Sequence, residues 1–130
     1  MNETVEVKTC DLEGLALDWA VAVIEGYDLM KHPFRRAYIP NFGYCDYSPS
    51  TNWTFGGPLI EKYRFEFEWV DCDWHGEPPN FFTACGFDMP ADAASAGPTH
   101  LIAACRAIVR AKYGKTVSVP AELISMGGTE

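Results

Sequence analysis

The chain has few positive charges, few histidines and no long apolar run, and each shortage narrows what it can do. Its 130 residues carry 10 Lys and Arg against 18 Asp and Glu, a formal net charge of −8. Duplex nucleic-acid binding neutralises several phosphates and usually shows as a basic face, so no duplex nucleic-acid partner is expected. No stretch approaches the roughly 18 consecutive apolar residues of a spanning helix, so no membrane partner is expected either. The opening residues MNETVEVK lack a basic start followed by an apolar stretch. They do not resemble a secretion signal, and the expected location is cytoplasmic.

Catalytic and metal-binding signatures are also scarce. Five scattered cysteines, Cys10, Cys45, Cys72, Cys85 and Cys105, form no Cys-x-x-Cys pair, which excludes a zinc ribbon or a thioredoxin-like motif. Cys72 and His75 have a chelating spacing in CDWH, but isolated reduced thiols are the expectation, with no metal and no other cofactor. His32, His75 and His100 are the only imidazoles available as bases, and none sits in a recognisable nucleophile motif. Gly-x-Ser-x-Gly, His-Glu-x-x-His and the Walker-type phosphate loop are all missing. The reading is a protein that is not an enzyme.

What is present describes one globular α+β domain over residues 1–130. Composition is 48% hydrophobic and 14% aromatic, enough to bury a core without staples. TVEVK reads as an opening strand, followed by a helix, DLEGLALDWAVAVIEG, with Thr9 as N-cap and Gly26 as the stop. Its apolar residues occupy most of the circumference, so the helix is expected to be buried on most sides. Asp18 stands alone among them and reads as a narrow polar surface strip, with a partnered buried carboxylate as the alternative. Residues 27–58 are irregular, rich in Pro, Gly, Asn, Ser and aromatics, a length that implies a functional loop or short hidden strands. Pro58, after Gly56 and Gly57, fits the first position of a short helix whose glycines present N–H groups to an anion, or a plain turn.

KYRFEFEWV alternates aromatic and charged residues with a period of two and is the clearest strand. DCDWHGEPPN then makes a hairpin connection to a returning strand, FFTACGF. Pro98 and Thr99 start a last helix that Gly114 ends, KTVSVPAEL adds a short strand, and SMGGTE is a tail. The order β-α-loop-β-β-α-β fits an antiparallel sheet with two main helices packed on it, a layered α-β-α arrangement.

Within that last helix, CRAIVRAKYG puts Arg106 and Arg110 four residues apart on one face. They lie beside the core stripe of Leu101, Ile102, Cys105, Ile108 and Val109, and the small residues Ala103, Ala107 and Thr99 around them are expected to leave the guanidiniums accessible in a groove. Paired guanidiniums make planar, bidentate donors suited to phosphate or carboxylate. From the residues alone, an ordinary solvated helix face with Glu partners elsewhere accounts for them more simply.

Three stretches, LEGLALDWAVAVIEGY, YSPSTNWTFGGPLIE and GPTHLIAACRAIVRAKYGKTVSVPAEL, resemble the NinX-like family of small phage and prophage proteins. The likeness spans roughly three-fifths of the chain, omits 27–44 and 71–80, and implies a phage protein. The helix AGPTHLIAACRAIVRA is also similar to the last helix of phage alpha-beta-alpha sandwich proteins, among them the anti-Thoeris sponges. That second resemblance implies a non-enzymatic homo-oligomer that sequesters cyclic ADP-ribose-type or cyclic nucleotide immune signals in the infected bacterial cytoplasm. It implies ligand phosphates on Arg106 and Arg110. Thr99, Ser48, Ser50, Thr51 and Asn52 are the expected polar partners, and Trp53, Phe55 and Phe82 the expected base platforms. The partner implied is a small anionic nucleotide-type ligand. A phage accessory protein acting on a host or phage protein through its acidic face is the alternative.

Overall fold

The computed structural model describes residues 4–27, 36–40, 42–70 and 81–127. The elements are β1 (Thr4–Lys8), α1 (Gly14–Glu25), β2 (Arg36–Ile39), β3 (Gly43–Asp46) and α2 (Trp53–Tyr63), then β4 (Phe65–Val70) and β5 (Phe81–Gly86). They continue through β6 (Ser95–Gly97), α3 (His100–Tyr113), β7 (Thr116–Pro120) and α4 (Ala121–Gly127), with short 3-10 turns at Thr9–Asp11 and Ala91–Ala93. The protein is α+β, as its sequence implies, and every strand pair among the described residues is antiparallel. The strands divide into three small ladders, β1–β7, β2–β3 and β4–β5–β6, where the sequence suggested one sheet.

The core forms where α1 and α3 meet. Leu17, Ala20 and Val21 from α1 face Cys105, Ile108 and Val109 from α3, and Val117, Val119 and Leu123 close one end. α3 also packs against β5 and β6 on another side. Its alanines Ala103 and Ala107 are fully buried there, so the small residues serve close helix–sheet packing and do not open a groove beside the arginines. Gly97 makes the same contact from the sheet side, where a Cβ would lie 2.8 Å from the backbone N of Ala103.

Local signals decide most boundaries. Gly26 in the left-handed region closes α1, and the Thr99 side chain caps α3 by accepting the Ile102 N–H. Thr9 does not cap α1. It is buried, and its hydroxyl contacts the Gly114 and Lys115 carbonyls at 3.0 and 3.2 Å, tying the start of the chain to the turn after α3. α2 begins at Trp53, five residues before the expected start at Pro58, because Asn52 caps it by accepting from the Thr54 N–H at 2.9 Å. Pro58 lies inside this helix, and Gly57 before it eases the crowding that a proline ring imposes on the preceding residue. The helix therefore runs through Lys62 and Tyr63, and the strand expected from Lys62 starts at Phe65. The irregular 27–58 region conceals the β2–β3 hairpin, and the expected C-terminal tail begins within α4. The hairpin connection 71–80, including Cys72 and His75, lies outside the described residues, as does His32.

Asp18 corrects the surface-strip expectation. It is only 6% exposed, and its Oδ1 accepts the Ser50 backbone N–H at 2.9 Å. The far end of α2 is tied to α1 as well. Glu25 accepts from the Lys62 ammonium at 2.6 Å and from the Tyr63 hydroxyl. α2 and the turn before it are thus pinned to α1 at two points, which fixes the position of the α2 N-terminus.

Candidate ligand groove

Two helix starts meet at one groove of about 390 Å3. One wall is Ser50, Thr51 and Trp53, the turn leading into α2. The other runs from Pro98 through Thr99 and His100 to Leu101 and Ile102, the first turn of α3, with Phe82 from β5 beside it. The turn before α2 is shaped by its own backbone: the Ser48 carbonyl accepts from both Thr51 N–H and Asn52 N–H. Asp18 holds the same turn from below. Gly56 then lets α2 approach α3, since a Cβ there would come within 2.4 Å of the Pro49 carbonyl and 2.5 Å of Leu101 Cδ2.

The chemistry of the walls is mixed. His100 and Phe82 stack, with ring centroids 3.8 Å apart and planes at 33°, and Phe67 meets His100 edge-on at 4.8 Å. Trp53 stands 6.2 Å from His100 and is 58% exposed, so one indole face is open to a planar ligand. Ser50 is 2% exposed, and its buried Oγ has no hydrogen-bond partner among the described residues. A buried unpaired hydroxyl costs about 1–3 kcal/mol, so natural sequences seldom keep one without a reason. The Thr99 hydroxyl accepts from Ile102 N–H and still has its own proton to donate. First-turn N–H groups of a helix have no intrahelical acceptor, and both helix starts carry partial positive charge.

Five of the ten expected site residues, Ser50, Thr51, Trp53, Phe82 and Thr99, come together here, while Ser48 and Phe55 are not in the lining. Asn52 caps α2, outside the lining. Arg106 and Arg110 are also outside it, further along α3. Arg106 donates from Nε to the Leu12 carbonyl at 2.8 Å and from Nη1 to the Ala96 carbonyl at 2.9 Å. Arg110 donates from Nε to the Asp92 carbonyl at 2.6 Å. The two guanidiniums bracket α3 to the segments before α1 and around β6, so both are engaged by backbone carbonyls where the sequence suggested a free pair. Phe55, the other aromatic on α2, packs inward against Tyr47 at 5.5 Å.

Sequence reasoning missed His100 and the apolar pair Leu101–Ile102 as groove residues. The signal available was Thr99 itself: an N-cap marks where a helix presents free N–H groups, and the next residue is the first to flank them. Asp18 was missed as a support because a carboxylate in an apolar helix gives no sign of what it meets. Burial first, and the Asp18 charge second, hold the Cys105 thiol well above its ordinary range. Among the described residues, no three His, Cys, Asp or Glu side chains cluster as a metal site.

No helix among the described residues is long and apolar enough to cross a membrane. No curated protein is matched by the sequence. Residues 8–112, about four-fifths of the chain, match the family described as "Bacteriophage P22, NinX". That span includes both helix starts, the Asp18 support and the groove between them, and the chain belongs to this NinX family of phage proteins.

Proposed function

We propose that this phage protein binds a small nucleotide-type signal in the groove between the α2 and α3 starts and sequesters it unchanged. The sequestered signals are of the cyclic nucleotide or cyclic ADP-ribose type used in bacterial antiviral defence. One observation carries the reading: an open indole face, two helix N-termini and an unpartnered buried hydroxyl converge on a single groove. Planar rings stack on Trp53, and anionic oxygens receive N–H and O–H donors from the first turn of α3. Among the described residues lining the groove, no hydroxyl is hydrogen-bonded to His100, the one imidazole there. On this reading the protein acts by holding the ligand, and a second copy would complete the shelter of a groove this open.

Isothermal titration with 3′,5′-cyclic AMP and cyclic ADP-ribose tests the reading. Binding that weakens at least tenfold in Trp53→Ala, with the ligand recovered intact after heat release, supports it. Absence of binding to both, or turnover of either, refutes it. A second reading rests on a different surface. The β2–β3 hairpin exposes Tyr38 and Tyr44 (59% and 63%), paired edge-on across the strands at 5.4 Å, as a docking patch for a protein partner. Partner capture lost in Tyr38→Ser with Tyr44→Ser, but unchanged in Trp53→Ala, would favour that alternative.

A further inference from the structure

Within the ligand-binding reading, which it presupposes, the groove also restricts the charge and size of what it accepts. Among the described residues that line it there is no Lys, Arg, Asp or Glu. The positive potential available comes from two helix starts, each equivalent to roughly half a unit charge, and the Asp18 carboxylate beneath the α2 start offsets part of it, so together they balance at most about one negative charge. A chain of net charge −8 opposes any further anionic charge on the ligand. The Arg106 and Arg110 guanidiniums, which would change this balance, are bound to backbone carbonyls away from the groove. Its volume of about 390 Å3 is near the lower end of small-molecule sites, which run from about 300 to 1,000 Å3.

We infer that each groove takes one nucleotide unit bearing one singly charged phosphodiester: the base lies on Trp53, and the phosphate oxygens meet Ser50 Oγ, Thr99 Oγ1 and the first-turn N–H groups of α3. Phosphomonoesters and pyrophosphates carry more charge than the helix starts balance, and they are disfavoured. Among the signals considered above, this selects 3′,5′-linked cyclic nucleotides over the pyrophosphate ring of cyclic ADP-ribose. Ser50 is the residue that ties the argument to this place. Its hydroxyl is buried and has no partner among the described residues, and a turn of the side chain toward the groove would let an anionic acceptor satisfy it.

That assignment gives Ser50→Ala an unusual signature. Removing an unpaired buried hydroxyl leaves the free protein at least as stable, whereas removing a ligand donor weakens binding. Titration calorimetry would compare 3′,5′-cyclic AMP, 5′-AMP, ADP and cyclic ADP-ribose, with thermal melting of each variant alongside. The expected result is one cyclic AMP per chain, with the other three at least about tenfold weaker. Ser50→Ala is expected to weaken cyclic AMP binding about tenfold while its melting temperature stays level or rises. Binding of 5′-AMP, ADP or cyclic ADP-ribose as tight as cyclic AMP would overturn the charge argument and leave the ligand-binding reading standing. Cyclic AMP binding unchanged in Ser50→Ala, or a clear loss of stability in that variant, would overturn the role given to Ser50. If none of the four binds, the proposed function falls together with this inference.

Discussion

Gly56 and Gly57 are neighbours on α2, yet a methyl group should have very different effects at the two positions. At Gly56 a Cβ would sit 2.4 Å from the Pro49 carbonyl oxygen and 2.5 Å from Leu101 Cδ2, about 1 Å inside ordinary contact. The leucine tip can rotate away. The carbonyl belongs to the turn that Asp18 pins through the Ser50 N–H, so it yields only if that turn or α2 moves. Overpacking of this kind costs about 1–3 kcal/mol, and a clash with backbone belongs at the upper end. Alanine recovers about 1 kcal/mol through helix propensity, leaving Gly56→Ala destabilised by about 2 kcal/mol. At Gly57 the nearest atom is Trp53 Cε3 at 3.8 Å, so there is room. There the propensity gain is opposed by the restriction on a residue preceding Pro58, and the net change is within about 1 kcal/mol of zero. Urea denaturation of both variants measures the difference, with about 2 kcal/mol between them expected at unchanged m-value. Equal stabilities, or Gly56→Ala the more stable of the two, would refute the close approach of α2 to α3 and with it the shape of the groove.

Arg106→Ala removes charge-assisted bonds to the Leu12 and Ala96 carbonyls; with one of them exposed, a loss of about 2 kcal/mol is expected by denaturant titration. Arg106→Lys should recover less than half of it, because an ammonium cannot span both carbonyls as the guanidinium fork does. Asp18→Ala should cost about 2 kcal/mol by removing the acceptor of the buried Ser50 N–H, and Asp18→Asn less, since it keeps an acceptor oxygen; equal losses would show that the charge matters more than the hydrogen bond. Burial first, and nearby charges including Glu25 second, raise the Tyr47 hydroxyl well above its ordinary value of 10.0. Burial first, and the hydrogen bond to Glu25 second, raise Tyr63 likewise. The unfolded tyrosines lose protons first, so this stability is complete below pH ~10 and falls above it by up to about 1.4 kcal/mol per pH unit per group. Tyr47→Phe should flatten that alkaline slope in urea titrations between about pH 9.5 and 11, and an unchanged slope would refute the assignment.

Much of the secondary structure was legible because its signals are local. TVEVK, the Gly26 stop, the Thr99 cap and the alternation from Phe65 onward each depend on a few neighbouring residues, and the structure retains all of them. Where local signals competed, the reading slipped. Gly-Gly-Pro looked like a helix start because proline suits that position, but the Asn52 cap upstream started α2 earlier. Aromatic-charged alternation extended the strand back to Lys62, although Tyr63 and Lys62 instead finish the helix by reaching Glu25.

The candidate site was legible by residue type and only partly by place. Polar and aromatic residues around Ser50–Trp53 and Thr99 were recognisable as ligand chemistry, since hydroxyls, indoles and N-caps have few other strong uses together. The arginine pair was chosen by helical spacing, which says that two side chains share a face but not what lies opposite that face. Opposite it are the carbonyls of Leu12, Ala96 and Asp92, from segments up to 94 residues distant in sequence. Sequence by itself determined the α+β elements, the acidic charge balance and the family, because these follow from short-range patterns and composition. Only tertiary packing decided that Asp18 is buried, that α3 is enclosed on several sides, and that two helix starts meet at Ser50. Those facts depend on which backbone groups the folded chain brings within hydrogen-bonding distance, and no spacing along the sequence encodes them.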